Sequence, residues 1–537
     1  LKTSAAKPVK KPTSKDASGR GVSRARKESR STPEARKESG ARSASKVANE
    51  SRARGLSKAP KEAKPRIDTP AGEVNPARAL AVRILCSRGE GVEAALARTL
   101  DRSSLSAEDR RLLAETVLGT TRMQRHLDGR LDRILGARAR RLAPRLRVIL
   151  RAAAYQLLFL DRIPAYAAVN EAVTLARREG HEGWASLANA VLRKITREPL
   201  RIEETGDDPI AALGIELSYP DWIVRRVAAL LGLGEARAFL EAGNRPHPVT
   251  LRTNALRISR DDLLARLAQG GIAAERCAIA PRGIRLAGGA FAPSLDILRE
   301  GLASVQDESA IIVSDLVAPR AGETIADLCA SPGGKSLAIA EAGGAGVRVI
   351  AIDRPSRMRR LRENLARLAW TDEGGGEWTH RSREGPRISL IEGDARTLEA
   401  VACDAVLVDA PCTGLGVLSR HAELRWERRE SDVARLAGAQ LELLDAAASW
   451  VRPGGRLVYS TCSILPEENE AIVRAFLERH QEFRVEPPPR DIQDALGSAH
   501  STESQDAFGL ASASVRTWPH RHGLDGAFAV LLRKASS

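Results

Sequence analysis

Six cysteines in 537 residues are too few for a disulfide framework. None forms a Cys-x-x-Cys pair, and His421 is the only histidine near Cys412 in sequence, so no local set of tetrahedral metal ligands is at hand. No apolar run reaches transmembrane length, and no basic-then-apolar leader pattern is seen. Internal repeats are lacking as well. What remains is a long chain with reduced thiols, expected in the cytoplasm, with no membrane and no metal, and large enough for more than one domain.

The formal net charge of +16 first suggests nucleic acid. Its distribution weakens that inference. Residues 1–70 hold 20 of the 84 Lys and Arg but only 7 of the 68 Asp and Glu, so most of the excess lies in the tail. Residues 1–73 are rich in Lys, Arg, Ser, Ala and Pro, with almost no large apolar side chains. They read as a disordered basic segment that could hold phosphates by counterion release.

From Asn75 the pattern turns helical, as in RLRVILRAAAYQLLFL and WASLANAVLRKI, with Ser106 a capping candidate. An all-helical domain is expected over 74–203 and a small α+β module over 204–305. Over 306–537 strands alternate with helices, which predicts a doubly wound parallel sheet of Rossmann-like α/β type. Thr371–Arg387 interrupts the alternation and reads as a surface insertion.

DLCASPGGKS, Asp327 to Ser336, lies where the first of these strands turns into a helix. Its glycines permit close approach of a ligand to backbone, and the helix start offers free N–H groups. The spacing is neither the dinucleotide fingerprint nor a P-loop. Asp353 ends the next strand, where a carboxylate can accept from ribose hydroxyls, and Asp394 ends the third, within reach of an adenine amino group. Any one of these is equally well a tight turn or a loop acid. Three in succession predict a nucleoside-bearing cofactor.

Cys412 (in VDAPCTGLGV) and Cys462 (in GRLVYSTCS) end the fourth and fifth strands and so face the same crevice. A lone cysteine is often apolar filler; two at equivalent strand ends argue for chemistry. A thiolate adding to carbon 6 of a cytosine activates carbon 5 toward a methyl donor, replacing one hard step with easier ones. Asp409, three residues before Cys412, is placed to hold the base, and Lys335 to assist near the ring or to neutralise carboxylates. Lys335 and Arg420 are the sequence's candidates for the positive charge that a thiolate needs.

DLCASPGGKS, DAPCTG followed by SRHAELRW, and YSTCSILPEENE together resemble the Sun/RsmB-type RNA cytosine-5 methyltransferases. The resemblance extends through SVQDESA and NRPHPVTLRTN. In the helical region, AAVNEAV and SLANAVLR resemble a NusB-like domain. The tail and residues 371–387 stay unmatched. The resemblance implies that Cys462 is the nucleophile and that Cys412 aids release of methylated RNA. It implies an S-adenosylmethionine site made by Cys329, Ala330, Ser331, Pro332, Gly333, Gly334, Lys335, Asp353, Asp394 and Asp409, with the Cys329 thiol itself structural. It also implies RNA, small-subunit rRNA above all, as substrate, bound by the helical domain and the α+β module of a monomer. Ser331 stands where the family usually has a second alanine, and Glu470 with Ala471 replaces a more polar run; neither change removes a reactive group. Two other readings stay open: a methyltransferase acting on tRNA, DNA or protein, and a non-catalytic NusB-like RNA scaffold.

Overall fold

The computed structural model describes residues 74–87, 91–197, 208–245, 248–287, 295–380, 385–496 and 510–536. The basic segment 1–73 lies outside them. No helix among the described residues is long and apolar enough to cross a membrane.

The described residues between 76 and 195 form seven α-helices and no strand. Asn75 and Ser106 cap the first and third, each side chain accepting from a backbone N–H of the first turn. The apolar stripes meet in one core around Leu127, Leu131, Leu146, Leu150 and Leu192 and a second around Ala77, Ala81, Leu113 and Val117.

The next segment has two halves with separate cores. Helices Pro209–Leu217, Asp221–Leu231 and Leu233–Asn244 bury Ile223, Val224, Phe239 and Leu240 against Leu415, Leu418, Ile464, Leu465 and Trp518 of the region carrying the two cysteines. Strands β1 (Thr250–Thr253), β2 (Ala274–Arg276), β3 (Gly283–Leu286) and β4 (Ala303–Val305) form an antiparallel sheet in the order β2-β3-β1-β4. That sheet packs on helix Arg260–Gln269 through Leu251, Leu263, Leu267 and Ile284. The periodicities in this region indicate only two of its helices and two of its strands.

A ten-stranded sheet follows: β5 (Thr324–Asp327), β6 (Arg348–Asp353), β7 (Thr371–Gly374), β8 (Glu377–Thr379), β9 (Arg387–Glu392), β10 (Cys403–Asp409), β11 (Val451–Thr461), β12 (Phe483–Glu486), β13 (Ser514–Thr517) and β14 (Ala527–Lys534). The order is β12-β14-β11-β10-β5-β6-β9-β8-β7, with β13 also paired to β14. The five central strands β11-β10-β5-β6-β9 are parallel, as expected. The flanking strands are antiparallel, which makes the sheet mixed. Helices Glu308–Leu316, Gly334–Gly343 and Pro355–Arg367 bury Ile311, Leu337, Met358 and Leu361 on one face. Helices Ser431–Trp450 and Glu470–Arg479 bury Leu444, Ala447, Val473 and Phe476 on the other. The order reverses between β5 and β10, and ligands of such sheets lie outside the carboxyl ends at that point. The expected surface insertion is instead the β7–β8 hairpin, which extends the sheet beyond β9 and buries Trp378; residues 381–384 of it lie outside the described set.

The stretch Leu418–Trp426, just after the Cys412 loop, fastens the sheet domain to the helices before it. Arg425, fully buried, donates to the carbonyls of Arg122, Ser218, Gly243 and Leu418 and to Asn244 Oδ1, and stacks 3.8 Å over the Tyr219 ring. Trp426 Nε1 donates to Thr121 O at 2.7 Å, and His421 Nδ1 lies 2.8 Å from Glu93.

Candidate active site

The turn after β5 is tied to β6 by backbone. Ala330 N donates to Ile352 O at 2.9 Å and Ser331 N to Asp353 Oδ2 at 2.9 Å; Arg354 N occupies the other oxygen of Asp353. Gly333 sits at φ +100°, where a Cβ would overlap Leu361, so the turn requires glycine there. Beneath the turn Asp327 accepts from Ser336 Oγ at 2.6 Å and Cys329 N at 3.3 Å, and burial pushes its pKa up to about 7. Burial also raises the Cys329 thiol well above its ordinary value. Beside Gly334, the buried amide oxygen of Gln306 has no hydrogen-bond partner.

Two expected residues are already engaged. Asp394 is gripped by Arg396 at 2.9 and 2.7 Å, which holds its pKa down at about 2, with Arg354 3.6 Å away. Arg420 donates to Asp307 and to Asp525 at 2.7 Å each, so its charge is spent on two carboxylates rather than on a thiol.

Lys335, in the first turn of helix Gly334–Gly343, reaches across to β10. Its Nζ donates to Asp409 Oδ2 at 2.7 Å, while Ser460 Oγ on β11 donates to Oδ1 at 2.8 Å. Burial works against the ammonium, but Asp409, and more weakly Cys462 and Asp327, raise its pKa. Asp409 is paired in register with Ser460, so the turns that follow β10 and β11 leave the sheet side by side.

Those turns bring Cys412 Sγ to 3.0 Å from Cys462 Sγ. Gly416 makes the approach possible: its N–H donates to Cys462 O, its carbonyl accepts from Gly526 N, and a Cβ would overlap Gly526 O. The thiols are not equivalent. The hydrogen bond shared with Cys412 lowers the pKa of Cys462 against its burial; Asp409 opposes this and Lys335 supports it. The Cys412 thiol is raised by the same hydrogen bond and by burial, without help from any lysine. Cys412 is buried and Cys462 partly accessible. The pair is thus polarised as a Cys462 thiolate accepting from a Cys412 thiol.

A third group joins the two turns and escaped the sequence reading. Glu468, fully buried, accepts from Thr413 N (2.8 Å), Thr413 Oγ (2.5 Å), Gln440 Nε2 (3.1 Å) and Ser463 Oγ. Its neighbour Glu467 is half exposed and pairs with Arg226, and no pattern in ILPEEN separates the two acids.

Family models match residues 75–197 (NusB family), 219–290 (the RsmF/B-like ferredoxin-like domain) and 314–533 (16S rRNA methyltransferase RsmB/F). The crystal structure of PH0851 superposes with a TM-score of 0.69 at 27% identity, covering 88% of this chain and all of that one. The probable ribosomal RNA small subunit methyltransferase B of Bacillus subtilis is 33% identical over 80% of this chain and 92% of its own length. The protein of that description from Synechocystis is 34% identical over 85% of this chain and 98% of its own. Three family models follow one another along this chain, and relatives 33% and 34% identical match it over nearly the whole of their own length, so the chain belongs to the ribosomal RNA small subunit methyltransferase B family.

Proposed function

We propose that this chain methylates carbon 5 of a cytosine in small-subunit rRNA, with S-adenosylmethionine as donor, through a covalent adduct on Cys462. The observation that carries the reading is the 3.0 Å thiol pair, one sulfur biased to thiolate and the other to thiol, beside Lys335 and Asp409. Residues 329–335 with Asp353, Asp394 and Asp409 would hold the cofactor. The fit rests on a glycine-dependent turn at the β5/β10 switch point and on the acid that ends β6. When bound, S-adenosylmethionine supplies an electrophilic methyl carbon.

The rest belongs to this chain. The helical domain and the antiparallel module bind RNA and present an unpaired or extruded cytosine. Asp409, fixed by Lys335 and Ser460, retains lone pairs with which to accept from the base. Cys462 Sγ forms a bond to carbon 6 and raises electron density at carbon 5. Cys412 assists the elimination in which the carbon 5 proton passes to water, its electron pair re-forms the C5–C6 double bond, and the S–C6 bond breaks to restore the Cys462 thiolate, freeing the RNA.

Methyl transfer to purified small-subunit rRNA tests this. Cys462→Ala is expected to abolish both methylation and adduct, and Cys412→Ala to trap a covalent protein–RNA complex stable to denaturation. Full activity in Cys462→Ala would refute the nucleophile, and transfer of label to DNA or protein in place of RNA would refute the substrate.

A further inference from the structure

We infer that Glu468 is a positioning residue that keeps Cys412 within reach of the adduct formed on Cys462; the inference rests on the two-thiol chemistry proposed above. Its four donors come from three elements, and each turn is held at the residue that follows its cysteine, Thr413 after Cys412 and Ser463 after Cys462. Gln440, from helix Ser431–Trp450, donates both to Glu468 (3.1 Å) and to the carbonyl of Pro411 (2.9 Å), the residue before Cys412. Glu468 is itself anchored: Tyr459 Oη donates to its carbonyl at 2.6 Å, and Asn469 bridges Thr461 Oγ1 and Ser463 O.

All four partners of the carboxylate are neutral. Burying an ionised acid on neutral donors is costly, and stability alone gives no reason to keep it. A carboxylate is, however, an acceptor at every lone pair, so one oxygen takes the two N–H donors and the other takes both hydroxyls as donors. A glutamine has one such oxygen: with its carbonyl on the two N–H donors, its NH2 has to donate to the Thr413 and Ser463 hydroxyls, which reverses both of the bonds that hold the turns. The clasp therefore joins two turns that lie fifty residues apart in sequence, in addition to the Gly416 N–H on Cys462 O and the 3.3 Å contact of the Thr413 and Ser463 hydroxyls, and adds to what sets the thiol separation.

The groups facing the thiols are Lys335, Asp409, Glu468 and Tyr459. Among them only Glu468 bonds both cysteine turns. Loosening the Cys412 side should spare attack and impair release; loosening the Cys462 side should impair attack.

The test compares Glu468→Gln, Thr413→Val and Ser463→Ala, each in the full chain with small-subunit rRNA and S-adenosylmethionine. Covalent adduct on denaturing gels and methyl turnover are both measured. In Thr413→Val, which keeps the N–H but loses the hydroxyl, the ratio of adduct to turnover should rise roughly tenfold or more, the scale of a displaced catalytic group. In Ser463→Ala adduct formation should slow, without accumulation. Glu468→Gln should lose turnover at least as severely as either. Proportionate loss of adduct and turnover in Thr413→Val, or no change in any variant, would overturn the inference. Cys412→Ala serves as control: if it traps no adduct, the two-thiol chemistry fails. The clasp is then judged by the ratio of iodoacetamide alkylation at Cys412 and Cys462, which must change in Glu468→Gln and, if unchanged, refutes it.

Discussion

Lys335 stands one turn into its helix, yet its ammonium ends on Asp409 of another strand and lowers the neighbouring Cys462 thiol. Removing the charge leaves Asp409 unneutralised, and both changes act in one direction, raising the Cys462 pKa. For Lys335→Met the pH midpoint of Cys462 alkylation is therefore expected to move up. Methyl transfer near neutrality should fall by roughly 10²-fold, the order seen when a positioned acid–base group is lost. An unmoved midpoint would mean that the Cys412 hydrogen bond alone sets the acidity. The reactive types at the strand ends were legible in the sequence because strand periodicity and short polar turns place them on one edge of the sheet. Arg420 and Glu468 were not legible. The fate of a charge depends on partners far away in sequence, Asp307 and Asp525 for the first, Thr413 and Gln440 for the second.

The hairpin β7–β8 shows the same limit for an element. Its sequence, TDEGGGEWT, is polar and glycine-rich and reads as loop, since three glycines lower strand propensity. Three successive positive φ values at Gly374, Gly375 and Gly376 make the reversal, and pairing of Glu377–Thr379 with Arg387–Ser389 makes the strand. Tertiary pairing overrides local preference here. Trp378, 6% exposed, gives the hairpin its hold on the core that also contains Trp370 and Ile388. Trp378→Ala is expected to cost about 3 kcal/mol of unfolding free energy, the lower range for a buried tryptophan, measured by urea denaturation. A loss near zero would mean that the hairpin is held by its backbone alone. The five parallel strands and their helices were readable because each buries a continuous apolar run. The short β12 and β13 carry no such run and are strands only because β14 offers them an edge.

For the whole molecule, the contacts that matter run from the stretch after the Cys412 turn back to the first helices. His421 lies 3.7 Å from Glu423 and 2.8 Å from Glu93 of the helical domain, and the two carboxylates raise its pKa to about 10. An imidazole whose folded pKa is raised adds stability in full below its unfolded value of about 6.5, and that contribution is lost as pH climbs through the folded value. The melting temperature of the parent should therefore exceed that of Glu93→Gln at pH 6, with the gap closing by pH 10. A gap independent of pH would rule the ion pair out as its source. Helical composition and the order of the domains could be read from the chain; their docking could not, since it depends on one buried guanidinium, one imidazole and one indole in a segment of ordinary loop composition.

Arg425 also bears on how such a protein can be taken apart. Burial holds its pKa down at about 10, so it is still a cation at neutral pH, and its guanidinium ends on carbonyls of Arg122, Ser218, Gly243 and Leu418. A chimera built by cutting where the antiparallel sheet begins would give the catalytic half a foreign recognition domain and strip this cation of most of its acceptors. Helices Asp221–Leu231 and Leu233–Asn244 have to travel with the methyltransferase sheet, and the workable seam lies before residue 208 rather than at residue 248.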